Sequence, residues 1–138
     1  MIVDEGLELL SEEECLRLLG TQTVGRVGVS MGALPAIFPV NFRLLDGAIV
    51  FRTGEGSKLS AAARGSVVAF EVDEHDPELR SGWSVLVVGE AEVLDDPDVA
   101  LRVLDGGPEP YAPGRRVAIV RITPGFVSGR RIVPGAPV

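Results

Sequence analysis

The chain has 138 residues, 46% of them apolar, and a formal net charge of −7. That length gives one domain with room for one real core, and that apolar share excludes a disordered chain. The acidic balance excludes a general nucleic-acid or anionic-membrane binder, so any phosphate site must be a local positive spot on an acidic body.

The opening segment MIVDEGLELL is acidic where a secretory signal would be basic. No later apolar run approaches the roughly 20 residues of a membrane-spanning helix. A cytoplasmic protein is expected. LSEEECLRLL (10–19) then predicts a helix, with Ser11 as N-cap and Glu14 at the position that closes a capping box. Leu16 and Leu19 are expected to face the core, and Gly20 to end the helix. Cys15, the sole cysteine, excludes an internal disulfide and reads as a buried apolar residue.

VGRVGVSM (24–31) alternates and is valine-rich, which predicts a strand turned at Gly32. LPAIFPVNFRLL (34–45) predicts the second strand of a hairpin. Pro35 and Pro39 lack ladder donors and mark an edge, a bulge or a bend. Asp46-Gly47 is a hairpin turn signal, and AIVFRT (48–53) the third strand. SKLSAAARG (57–65) reads as a short helix stopped at Gly65, and SVVAFEVD (66–73) as a strand.

DEHDPELRSG (73–82) reads as a charged, exposed loop, with His75 a solvated residue or, as a minor option, a haem ligand. WSVLVVGEAEVL (83–94) predicts a long strand with a bulge or close-packing point at Gly89. DPDVALRVL (96–104), with an Asp cap and Pro97 at the first helical position, predicts a third helix. GGPEPYAPG is a loop, and RRVAIVRITPGFVSGRRI (115–132) carries at least one further strand before a Pro/Gly-rich tail. The order predicts a mainly β domain over 1–138: a barrel of about six antiparallel strands with helices at its ends.

FRTGEGSKL (51–59) runs from strand to helix through two glycines, with Arg52, Thr53, Ser57 and Lys58 around the break. It is not a P-loop, because the order is Gly-Ser-Lys rather than Gly-Lys-Ser. It is not a Rossmann turn, because no third glycine follows and the strands here are antiparallel. Two readings stand. In one, backbone N–H groups, two cations and two hydroxyls converge on a phosphate. In the other, Ser57 is only an N-cap and the cations are solvated. Trp83, the sole tryptophan, reads as a core or interface aromatic, or as a stacking partner for a ring. One His and one Cys cannot make a zinc site.

GRVGVS (25–30), PVNF (39–42), FRTGEGSKL (51–59) and WSVLVVGEAEVL (83–94), in that order, resemble the pyridoxamine 5'-phosphate oxidase-like, FMN-binding split β-barrel family. The resemblance runs from Ser11 to Ile132. It implies that Arg52, Thr53, Ser57 and Lys58 hold the FMN phosphate, and that Pro39, Val40, Asn41 and Phe42 lie beside the isoalloxazine ring. Where relatives often carry a Gln, this chain reads Gly82-Trp83-Ser84, so the matching contact implied is Ser84, or Trp83 by stacking.

The resemblance further implies a homodimer with flavin sites at its interface. SVLVVG and VAIVRI, apolar on both faces, supply a surface such a dimer would cover. It implies a small flavin-dependent oxidoreductase with a nicotinamide or other small-molecule donor. A deazaflavin-dependent reductase and a non-catalytic flavin- or haem-binding module are the alternatives. True pyridoxamine 5'-phosphate oxidase activity is not expected. Its substrate brings a second phosphate, and only Arg130-Arg131 is available to hold it.

Overall fold

The computed structural model describes residues 2–3, 7–94 and 117–132. In chain order the elements are β1 (Ile2–Val3), β2 (Leu7–Leu9), α1 (Glu12–Leu19), β3 (Val24–Met31), β4 (Leu34–Leu45), β5 (Ala48–Gly54), α2 (Lys58–Ala63), β6 (Val67–Asp76), β7 (Ser81–Leu94) and β8 (Val117–Ile132). The helix expected over 96–104, the loop after it and the Pro/Gly-rich tail lie outside the described residues.

Every pairing is antiparallel, and six strands close on themselves in the ring β8-β5-β4-β3-β6-β7-β8. Closure removes the exposed edges an open sheet would carry. The β4–β5 hairpin turns at Asp46 and Gly47, both with positive φ (50° and 79°), which suits the right-handed twist of the flanking strands. β7 and β8 slip register between Val88 and Gly89. There a Cβ on Gly89 would lie 2.0 Å from the Thr123 carbonyl oxygen, so both sequence readings of this glycine, bulge and close approach, hold.

Alternating side chains fill the barrel: Val27, Phe42, Ile49, Phe51, Phe70, Val85, Val87, Val120 and Ile122 are buried in one cluster. α1 contributes Cys15, Leu18 and Leu19 to that cluster, and α2 contributes Leu59 and Ala63. Leu16, expected inside, only packs at the margin; Leu18 takes the core position. Ser11 caps α1 by accepting from the Glu14 N–H (3.1 Å). The Glu14 carboxylate is engaged by Arg17 and Arg131.

Three features differ from expectation. The N-terminal segment forms a hairpin, β1–β2, whose second strand pairs with the end of β8. The charged stretch 73–82 is not an open loop: β6 and β7 continue their ladder to Asp76↔Ser81. Asp76 Oδ1 accepts from the Glu78 and Leu79 N–H groups (3.0 and 3.2 Å) to close the turn. His75 is therefore a strand residue opposite Gly82, and it is exposed. Third, part of the two-faced apolar surface is covered within the chain. Val50 and Ile119 form a second buried cluster with Leu45, Leu94 and Val117 packed on it.

Candidate functional site

The β4–β5 ladder runs from Leu45↔Ala48 to Phe42↔Phe51 and stops there. Beyond that pair, β4 stays with β3 through Asn41, Val40 and Pro39, while β5 stays with β8 through Arg52, Thr53 and Gly54. Two neighbouring strands thus give up each other's hydrogen bonds, and a split opens between them. Seven of the expected site residues border it or the bend that follows.

The bend itself is ordered by hydroxyls. Ser57 Oγ caps α2 by accepting from the Ser60 N–H (3.0 Å), and Thr53 Oγ1 lies 2.8 Å from Ser57 Oγ. Each hydroxyl carries one hydrogen, and their mutual bond uses one of the two. One O–H therefore remains to donate outward. Gly56 has a φ of +76° with nothing within 4 Å of a Cβ built there, so the tip of the bend is open. Arg52 is half-buried; Lys58 is exposed and without a partner among the described residues. Glu55, at the tip, is the opposing charge.

On β4 the pleat sorts the four expected ring residues into two pairs. Pro39 and Asn41 are exposed on the outer face. Val40 packs against the core, and the Phe42 ring is buried edge-on to Phe70, with centroids 4.9 Å apart. The Phe42 side chain is a core element and its backbone N–H donates to the Thr23 carbonyl (2.9 Å), so Phe42 closes the end of the split rather than lining it.

Trp83 and Ser84 stand apart from this group. On β8, Ser84 pairs with Arg130 whereas Arg52 and Thr53 pair with Ile119 and Ala118, eleven and twelve residues away along that strand. Trp83 and Ser84 instead line a groove of about 370 Å³ with His75, Arg130 and Glu74. The Arg130-Arg131 pair divides its work. Arg131 donates to Glu14 (3.1 Å) and pairs with Glu8 (3.8 Å), whereas Arg130 has no partner among the described residues.

One cluster escaped the sequence reading. Arg26 on β3 donates through Nη1 to Glu71 Oε1 (3.2 Å) and Asp73 Oδ2 (3.3 Å) on β6. Burial, then the adjacent Asp73 carboxyl, raises Glu71 to about 7 against the pull of Arg26. The signal was present locally: Glu71 and Asp73 are two apart on a strand and so share a face. Their cation comes from another strand by register. Among the described residues no group of three metal-ligating side chains occurs, and no helix is long and apolar enough to cross a membrane.

Comparison with known proteins adds an independent line. The family model described as pyridoxamine 5'-phosphate oxidase matches residues 11–131. An uncharacterized protein of Mycobacterium tuberculosis, Rv0080, is 40% identical over 129 residues, covering 90% of this chain and 84% of its own. The structure of an FAD binding protein from Mycobacterium smegmatis aligns with a TM-score of 0.79 at 34% identity, covering 93% of this chain and 100% of that one. An FAD-binding protein from Mesorhizobium loti aligns with a TM-score of 0.68 at 26% identity, covering 91% and 97%.

Proposed function

This chain belongs to the pyridoxamine 5'-phosphate oxidase family, and from that premise we propose that it binds a flavin nucleotide and serves as a small flavin-dependent oxidoreductase. The observation that carries this reading is the parting of β4 from β5 after Phe42↔Phe51. It sets Arg52, Thr53, Ser57 and Lys58 beside the exposed Asn41 and Pro39.

The donor set fits a flavin phosphate: one guanidinium, one ammonium and one spare hydroxyl hydrogen around an open bend. Lys58 supplies a point charge, and the Thr53–Ser57 pair supplies the directed hydrogen bond. Asn41, with donor and acceptor on one amide, suits the edge of a ring laid along β4, and Pro39 offers it an apolar face. A bound flavin would supply hydride-transfer chemistry, with a reduced nicotinamide as donor. The chain's own task is to anchor and orient.

The resemblance named FMN, while the two aligned structures are of FAD-binding proteins. Both flavins carry a phosphate on the same ribityl chain, a terminal monoester in FMN and half of a pyrophosphate in FAD, so the bend can meet either. True pyridoxamine 5'-phosphate oxidase chemistry is disfavoured, because Arg131 is committed to Glu8 and Glu14 and leaves Arg130 alone for a second phosphate. The distance between the bend and the Trp83–Ser84 groove supports a two-chain site, in which one copy's bend meets the partner copy's groove.

The test is a titration of cofactor-stripped protein with FMN and FAD, followed by flavin fluorescence. Arg52→Ala and Lys58→Ala together should weaken binding by roughly 1.5–3 kcal/mol per contact. An affinity that barely moves would remove the phosphate assignment.

A further inference from the structure

The ends of β6, β7 and β8 border the groove of about 370 Å³ that Trp83 and Ser84 line, a volume within the range of small-molecule sites. β7 runs down its middle. Across the ladders Ser84 lies between Asp73 on β6 and Arg130 on β8, and Gly82 lies between His75 and Ile132. A Cβ on Gly82 would sit 2.7 Å from the Glu74 carbonyl oxygen and 3.4 Å from His75 Cδ2. The bare glycine therefore lets the imidazole lie close over β7. Leu7, Trp83 and Ile132, all half-buried, add apolar surface.

The polar groups of the groove fall into two sets. Each carboxylate already has a donor. Arg26 Nη1 donates to Glu71 (3.2 Å) and Asp73 (3.3 Å), and the Gln22 side-chain amide donates to Glu74 (2.9 Å). Arg131, on the opposite face of β8 from Arg130, is taken by Glu14 and Glu8. In contrast, Arg130, Ser84 and His75 have no partner among the described residues. All three can donate: Arg130 through its guanidinium fork, Ser84 through its hydroxyl, and His75 through at least one ring N–H in either protonation state. What the groove lacks is an acceptor.

We infer that this groove binds a small carboxylate, held by the Arg130 fork with Ser84 beside it, its apolar or aromatic body lying against Trp83. The groove is made by one chain; as the substrate of the flavin site, the carboxylate rests on the function proposed above.

Charge and shape select this class. An ionised carboxylate is planar and meets a guanidinium through two parallel hydrogen bonds. A neutral ligand gains only the weaker bonds of uncharged acceptors. A cation would have to displace Arg26 or Gln22 from carboxylates they already satisfy. A phosphate monoester brings close to two negative charges. It would bring them to a groove whose three carboxylates outnumber Arg26 and Arg130, on a chain of net charge −7. One negative charge is what a single unpaired guanidinium offsets.

Trp83 is the sole tryptophan, so its fluorescence reports on the groove directly. The full chain, with and without flavin, is titrated with benzoate, with its neutral isostere benzamide and with phenyl phosphate, and calorimetry checks each Kd. Benzoate should saturate with a Kd about tenfold or more below that of benzamide. Arg130→Gln should abolish that preference, and because Arg130 is exposed the variant should keep its melting temperature. Ser84→Ala should weaken benzoate about threefold. Equal binding of benzoate and benzamide, no saturation by benzoate, or an Arg130→Gln protein that keeps the preference overturns the inference. So does phenyl phosphate binding tighter than benzoate, which marks a phosphate site. Displacement of benzoate by flavin gives these donors to the flavin ring and also overturns it. Benzoate binding by a protein that takes up no flavin supports the groove and removes the flavin reading instead.

Discussion

The outside of this barrel has two halves that treat the same residue type oppositely. Over β5 and β8, Ile119 on the outer side is 1% exposed and Val50 2%. Over β4 and β3, Ile37 is 73% exposed. One half is finished within the chain. The other leaves Ile37 standing beside the small residues Gly28 and Ala69 and the Arg26–Glu71–Asp73 cluster. A strand's outer residues alone do not tell which half they belong to, because what covers them comes from elsewhere in the sequence or from another molecule.

The sharpest way to break that contrast is one substitution made in both halves. Ile119→Ala should cost about 2–5 kcal/mol of unfolding free energy in a denaturant titration. Ile37→Ala, at protein concentrations dilute enough to favour monomer, should change it by less than about 0.5 kcal/mol. Equal losses would mean the halves do not differ. Next in size is Lys58→Ala, expected to weaken flavin binding by about 1.5–3 kcal/mol with no change in melting temperature, since the side chain is exposed. Glu55→Gln, which removes the opposing charge at the tip of the bend, should tighten flavin binding by about 0.2–1 kcal/mol in the same titration.

The smallest effects are two pH dependences of opposite sign. Glu14 is held at about 2 by the hydrogen bond from Arg17 and then that from Arg131, against burial. Its contribution to folding is present above the ordinary carboxyl value of 4.5 and is lost as pH falls toward 2. Glu71, raised to about 7 from the ordinary value of 4.5, contributes below 4.5 and loses that contribution as pH rises through 7. Melting temperature against pH should flatten on the acid side in Glu14→Gln and between 4.5 and 7 in Glu71→Gln.

Much of this was legible in the residues. The ring strands are readable from alternation in VGRVGVSM, from apolar runs bounded by turn residues elsewhere, and from Asp46-Gly47, signals that act over two to eight neighbours. The β1–β2 hairpin did not, because two or three residues show no period and its partner is the far end of β8. The 73–82 hairpin was hidden by charge density, since strand ends protruding past a barrel need no apolar face. At the site, glycines, hydroxyls and cations mark the bend locally. That Asn41 faces outward and Phe42 inward follows from strand parity, once Phe42 is known to be core. The Arg26–Glu71–Asp73 cluster needed the β3–β6 register, which no local pattern encodes.

β8 is the strand on which the ring closes, pairing with β5 along its first part, with β7 along nearly all of it, and with β2 at its end. During synthesis the hairpins β3–β4–β5 and β6–β7 can form as they emerge, but the free sides of β5 and β7 must wait for the last strand. Until then a nascent chain exposes two unpaired, largely apolar strand edges, the surfaces that recruit wrong partners. Folding is expected to be slow for the chain's size, because its decisive contacts span Ile49 to Ile122. Chaperone demand should fall on the interval between completion of β7 and arrival of β8.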